Sequence, residues 1–182
     1  MTQTANTSSV SYFVKLAGTL LLISVVVAGL LGLVNYITAD RIAAINQEKT
    51  AASMQEVLPS ASYEEVEYTG SDALVKTVYA ASEGGYVVEV TLSGFGGEID
   101  MVVGIAPDGT VSGVSIISMS ETSGLGANAA KESFRAQFAG TSGTLAVSKD
   151  GGEIDALTGA TITSRAVTSG VNAALAAAAD LG

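Results

Sequence analysis

The sequence predicts an α+β domain carried behind one apolar helix and a helical stalk. Three observations predict it: an uncharged apolar run near the N-terminus, four strand-like runs beyond Pro59, and two helix-like stretches that follow the strands instead of alternating with them. Strands grouped together and helices grouped after them are the order of an antiparallel sheet with helices packed on it, not of a parallel βαβ array.

The first element is residues 16–34, LAGTLLLISVVVAGLLGLV. A charge-free run of about 19 residues is long enough for a helix to cross roughly 30 Å of hydrocarbon. A cleaved signal peptide is the competing reading, but the run exceeds the roughly 7–15 residues of a typical apolar signal core, and only ITA before Asp40 suggests a cleavage site. A retained transmembrane helix over 13–36 behind a cytoplasmic tail of 1–12 is therefore expected. Lys15 and the α-amino group precede the span while Arg41 and Lys49 follow it, so positive charge gives little orientation bias. The acidic, cysteine-free remainder reads as extracytoplasmic.

Next, in DRIAAINQEKTAASMQEVLPSA, the residues Ile42, Ile45, Met54, Val57 and Leu58 recur at helical spacing until Pro59 stops the pattern. This predicts a stalk over 37–62. The remaining 63–182 form the globular domain. It opens with ALVKTVYAA, YVVEVTLSG, EIDMVVGIAPDG and TVSGVSIIS, and Ile99, Met101, Val103 and Ile105 share one face at period two. The turn Pro107-Asp108-Gly109 joins that strand to the next as a hairpin. ANAAKESFRAQFAG, 127–140, suits an amphipathic helix burying Phe134 and Phe138. TITSRAVTSGVNAALAAAADL supplies the closing helix, with Val167, Val171, Ala174, Leu175 and Ala178 as its packing stripe.

Composition removes most reactive chemistry. The chain has no Cys and no His, so disulfides, thiolate-held iron-sulfur clusters, cysteine nucleophiles, imidazole catalysis and the commonest metal ligand are all excluded. No catalytic side chain and no metal ligand set is assigned, and the chemistry is expected to come from a cofactor. A formal net charge of −10 with only 8 Lys and Arg argues against nucleic acid as a partner.

Two stretches remain. ETSGLG, 121–126, reads in the first place as a loop in which Gly124 and Gly126 relax the backbone. DALTGATITSRAV, 155–167, reads as a left-handed turn at Gly159 and an N-cap at Thr161 for the last helix. The glycines 84, 85, 94, 96 and 97 need be no more than hairpin turns, and their spacing matches neither a P-loop nor a dinucleotide fingerprint. The start of the last helix has a second use. Free N–H groups and the positive end of the helix dipole favour a phosphate, and small neighbours at Gly159 and Ala160 let a bulky group approach, so a threonine there suits a phosphoester.

At these residues the chain resembles the covalent-FMN domain family shared by the G subunit of the Rnf ion-translocating electron transport complex and the C subunit of the sodium-pumping NADH:quinone reductase. The family's attachment motif is Asp, two variable residues, Ser or Thr, then Gly-Ala-Thr, and Asp155-Ala156-Leu157-Thr158-Gly159-Ala160-Thr161 matches it at each fixed position. FGGEIDMVVGIAPDGTVSGVSII resembles the family's central hairpin, and ETSGLGANA its Glu-Thr-Pro-Gly-Leu-Gly loop. The order of membrane span, stalk and domain also matches. The chain departs at Ser123, where Pro is usual, and at Met119-Ser120, where His-Lys is common.

The resemblance implies that Thr161 is esterified to the FMN phosphate by a separate flavin transferase using FAD and a divalent metal. Asp155 and Thr158 would serve recognition or phosphate contacts, Gly159 and Ala160 would give the flavin room, and Glu121, Thr122, Leu125 and Gly126 would line the isoalloxazine. Arg165 would contact the phosphate or else be a solvated helix residue. Length favours the Rnf protein, since its quinone-reductase counterpart is usually longer. The implied protein is a redox subunit without turnover of its own, partnered by other membrane and iron-sulfur subunits of an Rnf-type complex that moves Na+ or H+. The C subunit of the quinone reductase, a stand-alone flavinylated reductase domain and a flavin-free tethered assembly module are the alternatives.

Overall fold

The computed structural model describes residues 5–181, with side chains described from residue 11 onward except at 40, 43 and 44. The first four residues of the expected tail and the last residue of the expected domain lie outside the described residues. One helix, α1, runs Ala5–Val57, and the chain divides into two compact units, 1–45 and 46–182. In the first unit, Ser11–Ala39 is apolar enough to cross a membrane, with a mean hydropathy of 2.5 and none of its most apolar window buried within the protein. The uncharged run predicted from sequence lies inside it.

The second unit holds a five-stranded antiparallel meander in the order β1-β2-β3-β4-β5: β1 Tyr63–Val66, β2 Val75–Ala81, β3 Tyr86–Ser93, β4 Glu98–Ile105 and β5 Val111–Met119. Four of these are the predicted runs, and the fold is α+β as expected. The expected hairpin between β4 and β5 is closed by Ala106, whose carbonyl accepts the Gly109 N–H at 2.9 Å, and by Asp108, whose carboxylate accepts from both the N–H and the hydroxyl of Thr110. β1 was not anticipated. Its sequence YEEV is short and half acidic, which suits an edge strand that must not pair with a second chain.

Each face of the sheet has its own cover. Ile99, Met101, Val103 and Ile105 are buried together with Val88, Val90 and Leu92 beneath the long helix Thr161–Leu181, which contributes Val167, Val171, Ala174, Leu175 and Ala178 as its stripe predicted. Burying a Val or Leu side chain in such an interface stabilises by about 1.5–3 kcal/mol. At Gly170 the helix lies close against the sheet: a Cβ there would stand 2.6 Å from the ends of Leu92 and Met101. On the opposite face the last turns of α1 dock through Met54 and Val57 against Val87, Val102 and Ile117. Gly104 and Gly113, paired across β4 and β5, make room for them: a Cβ on Gly104 would meet the Val57 carbonyl oxygen at 2.6 Å. The Ser112 hydroxyl donates to that carbonyl, and Glu56 accepts from Ser115 and Arg135.

The single helix expected over 127–140 is instead three pieces: a 3-10 turn Gly126–Ala130, the short helix α2 Glu132–Arg135, and a 3-10 turn Ala136–Phe138. Lys131, extended at φ −73° and ψ 143°, separates the first two. In one continuous helix Ala129 would point about 140° away from Phe134, five residues on at roughly 100° per residue. Breaking the helix lets Ala129, Phe134 and Phe138 enter the same core, the two rings edge to face at 5.6 Å. The closing helix Thr161–Leu181 is called α3 below.

Candidate functional site

The sequence DALTGAT becomes a tight turn leading into α3. The Ala160 N–H donates to the Leu157 carbonyl at 3.0 Å, and Gly159, at φ +75°, occupies the left-handed position that this turn requires. The first helical bond runs from the Ser164 N–H to the Ala160 carbonyl. Ala160 is therefore the N-cap, one place before the Thr161 cap expected from sequence, and Thr161 is the first residue inside the helix. Ser164, fully buried, clamps the turn: its hydroxyl donates to the Ala160 carbonyl and accepts the Leu157 N–H, each at 3.0 Å. The N–H groups of Thr161, Ile162 and Thr163 precede the first helical bond and so lack an intrahelical acceptor.

This helix start forms one wall of a cavity of about 300 Å³. Glu121, Thr122, Leu125 and Gly126 of the 121–126 loop also line it, together with Phe95 from the turn between β3 and β4 and Lys149 from a 3-10 turn, Ser148–Asp150. Of the residues predicted for the site, the cavity brings together Glu121, Thr122, Leu125, Gly126, Gly159, Ala160 and Thr161. Asp155, Thr158 and Arg165 do not line it. The main chain of Asp155 is held by Gln137, whose side-chain amide accepts its N–H at 2.7 Å, and Thr158 sits exposed on the turn. Arg165 is engaged elsewhere, donating from two nitrogens to the Asp150 carboxylate at 2.7 and 2.6 Å. That hydrogen bonding holds the Asp150 carboxyl below its ordinary range and the Arg165 guanidinium above its own.

Sequence reasoning did not place Phe95, Lys149, Ile162 or Thr163. Phe95 had a signal in hindsight, a lone aromatic within GFGG, and in the structure 69% of it stays exposed. Lys149 donates to the Thr161 hydroxyl oxygen at 2.9 Å. Two buried polar atoms on the cavity wall have no partner, Oε2 of Glu121 and Oγ1 of Thr163. The other carboxylate oxygen of Glu121 accepts the Phe95 N–H at 2.6 Å. The glycines of GFGG and ETSGLG make that arrangement possible: a Cβ at Gly94 or at Gly126 would run into the Glu121 carboxylate.

A family model for the FMN-binding domain matches residues 94–176, and one for the RnfG N-terminal region matches 12–57. The G subunit of the Na(+)-translocating ferredoxin:NAD(+) oxidoreductase complex of Acetobacterium woodii is 38% identical over 182 residues, covering 87% of each chain. The chain belongs to the RnfG family. The G subunit of the ion-translocating oxidoreductase complex of Methanosarcina acetivorans is 34% identical, over 88% of this chain and 92% of that one. Its counterpart in the proton-translocating ferredoxin:NAD(+) oxidoreductase complex of Clostridium ljungdahlii is 49% identical over a shorter stretch, 55% of this chain and 58% of its own. Among solved structures, the C subunit of the Na(+)-translocating NADH-quinone reductase of Parabacteroides distasonis shares the fold, with a TM-score of 0.52 at 21% identity over 71% of this chain and 80% of that one.

The cavity of this RnfG family member fits FMN. An isoalloxazine has broad apolar faces and a polar edge with both a donor and acceptors. Leu125, Ile162 and Phe95 offer apolar surface, and the unpartnered Glu121 and Thr163 oxygens offer an acceptor and a hydroxyl. The helix start with Lys149 beside it is where an anion is favoured.

Proposed function

We propose that this chain is a single-pass membrane electron carrier that holds FMN as a phosphoester of Thr161, within an Rnf-type ferredoxin:NAD+ oxidoreductase that couples electron flow to Na+ or H+ translocation. The observation that supports this most is the Thr161 hydroxyl. It stands on the rim of the cavity, at the first residue of α3, with an ammonium 2.9 Å away. In attachment, the Thr161 oxygen forms a bond to the flavin-side phosphorus of FAD. The P–O bond to AMP breaks with its electron pair leaving on AMP, and the hydroxyl proton passes to a base of the flavin transferase. Bound FMN supplies the one- and two-electron chemistry that no side chain here offers.

The chain's own residues hold and shield it. Leu125, Phe95 and Ile162 cover the ring, Glu121 and Thr163 meet its polar edge, and Gly126, Gly159 and Ala160 keep the approach open. Thr122 shapes the loop, since its carbonyl accepts the N–H groups of Leu125 and Ala127. Asp155 and Thr158, outside the cavity, are left for recognition by the transferase. The organisation that goes with this is a tail over 1–12, a membrane helix over 13–36, a stalk over 37–62 and the FMN domain over 63–182 on the extracytoplasmic side, partnered by the complex's other membrane and iron-sulfur subunits. Protease added to intact spheroplasts should digest the domain, and protection until permeabilisation would reverse the orientation.

Co-expression with a flavin transferase tests the attachment. Thr161→Val should lose the flavin fluorescence seen on a denaturing gel, while Thr158→Ser keeps it, and mass spectrometry should map the flavin to the peptide containing Thr161. A flavin-bearing Thr158, or fluorescence retained in Thr161→Val, would refute the assignment.

A further inference from the structure

The 3-10 turn that carries Lys149 lies across one face of α3. Thr161 and Arg165 are four residues apart, so they stand one above the other on that face. Two adjacent residues of the turn meet them in order, Lys149 on the Thr161 hydroxyl at 2.9 Å and Asp150 on Arg165 through two bonds of 2.7 and 2.6 Å. The turn is pinned from below by Val147 and Ile154, which pair as an isolated bridge and are 1% and 2% exposed. Gly151, at φ +85°, closes it.

The two cations are matched to what they touch. Arg165 presents a planar fork to a carboxylate, the geometry in which guanidinium is strongest, and Lys149 presents a compact charge to a single oxygen. Arg165 is neutralised by Asp150. Lys149, unlike Lys76, Arg135 and Arg165, has no carboxylate partner among the described residues. The group Lys149, Asp150 and Arg165 thus carries one net positive charge, the complement of the single negative charge of a phosphodiester. The fully buried Thr163, its hydroxyl without a partner, faces the same cavity from the same turn of α3.

We infer that Lys149 is the cation that holds the flavin phosphate on Thr161, and that Arg165 is a positioning residue which acts on it only through Asp150. The inference rests on Thr161 being the acceptor. It assigns different roles, direct and indirect, to two basic residues that sequence alone does not separate.

The experiment uses the full-length chain co-expressed with its flavin transferase, with flavin content followed over time by intact mass and the loaded protein examined by 31P NMR. Lys149→Met should load roughly tenfold more slowly, the loss of one charge-assisted contact. When loading is driven to completion, its phosphodiester resonance should be displaced from that of the wild type, while Lys149→Arg restores both rate and shift in large part. Asp150→Ala and Arg165→Ala should each slow loading, and the exchanged pair Asp150→Arg with Arg165→Asp should recover most of it, an outcome that direct phosphate binding by Arg165 would not give. Wild-type loading and an unchanged 31P shift in Lys149→Met would overturn the inference while leaving Thr161 as acceptor. A flavin mapped to another residue in the wild type would overturn both. Failure of the exchanged pair, with Lys149→Met behaving as expected, would remove the positioning role from Arg165.

Discussion

Replacing Gly126 by Ala tests the arrangement at the centre of the cavity. Gly126 does not occupy a left-handed φ, so its backbone accepts an L side chain, and the cost comes from space alone. A Cβ built there meets the Glu121 carboxylate, whose Cδ lies 2.8 Å away, and the Thr163 hydroxyl oxygen, also at 2.8 Å. Glu121 is not a free end that can swing aside, because its other oxygen is tied to the Phe95 N–H at 2.6 Å. Relief requires breaking that bond, which costs about 1.5–3 kcal/mol for a charged acceptor. Against this, Ala restricts the unfolded chain and returns about 0.4–1 kcal/mol. A net loss of about 1–2 kcal/mol is expected, a fall in Tm of roughly 2–8 °C for a chain of this size. The assay is thermal unfolding in detergent with the double variant Gly126→Ala, Glu121→Asp alongside, since withdrawing the carboxylate by one methylene should recover at least about 1 kcal/mol as a favourable coupling. Unchanged stability together with zero coupling would show that the Glu121 carboxylate does not lie against Gly126.

Two further outcomes follow from the geometry. Thr161→Val, compared with wild type before either carries flavin, should alter stability by no more than about 0.5 kcal/mol by denaturant titration, because Ala160 and not Thr161 caps α3. A loss of about 1 kcal/mol or more, within the roughly 0.5–2 kcal/mol range of a removed cap, would show that Thr161 caps the helix after all. Glu56 is held below its ordinary carboxylate value of 4.5 first by the Ser115 hydroxyl and then by Arg135, with burial opposing. A depressed folded value contributes stability above about pH 4.5 that is lost as pH falls through the folded value. Glu56→Gln should therefore lower stability at neutral pH by a few tenths to about 1 kcal/mol and flatten the acid limb of a stability-pH curve, with the difference between the proteins vanishing in strong acid. A difference that persists after the acid limb of the wild-type curve has levelled off would place the effect outside ionisation.

The sheet was legible because one face of β4 is marked at period two: Ile99, Met101, Val103 and Ile105 alternate, and each is 2% exposed or less, although Val102 and Gly104 are buried on the other face beneath α1. The closing helix was legible for the same reason at a different period. What escaped was whatever depends on two distant segments meeting. β1 lacks an apolar pattern, since YEEV is a strand only through its pairing with β2. The break at Lys131 follows from three residues sharing a core that the 127–140 pattern does not reveal on its own. At the site, the family resemblance and not the local pattern singled out Glu121, Leu125 and Gly126 beside Thr161, and the structure lines one cavity with all four. Arg165 drew attention as the nearest basic residue to Thr161 in sequence, four places on, whereas Lys149 is twelve places back and reaches it through the fold. The glycines of GFGG looked like turn residues and are also the space into which Glu121 fits.

The shape of the cavity bears on why a covalent bond would be used at all. It is small, about 300 Å³, and its rim keeps Phe95, Leu125 and Ile162 exposed at 69%, 44% and 52%. One ammonium and a few apolar contacts are poor equipment for retaining a freely exchanging dinucleotide fragment, since holding a ligand at nanomolar strength takes about 12 kcal/mol. A tether changes the requirement. With the phosphate fixed to Thr161, ring docking would become an intramolecular step at an effective concentration on the order of millimolar, so that a cleft worth about 4 kcal/mol would seat the ring about half the time and one worth about 6 kcal/mol nearly always. Such a bond would permit a shallow site with an apolar rim left uncovered. Such a rim is what a carrier needs if its ring edge is to come close to a donor and then to an acceptor, whereas a deep pocket would bury that edge. Thr161 at the first residue of α3, Ser164 clamping the turn behind it and Lys149 beside it are, on this reading, one device for fixing the phosphate so that the rest of the flavin can remain accessible.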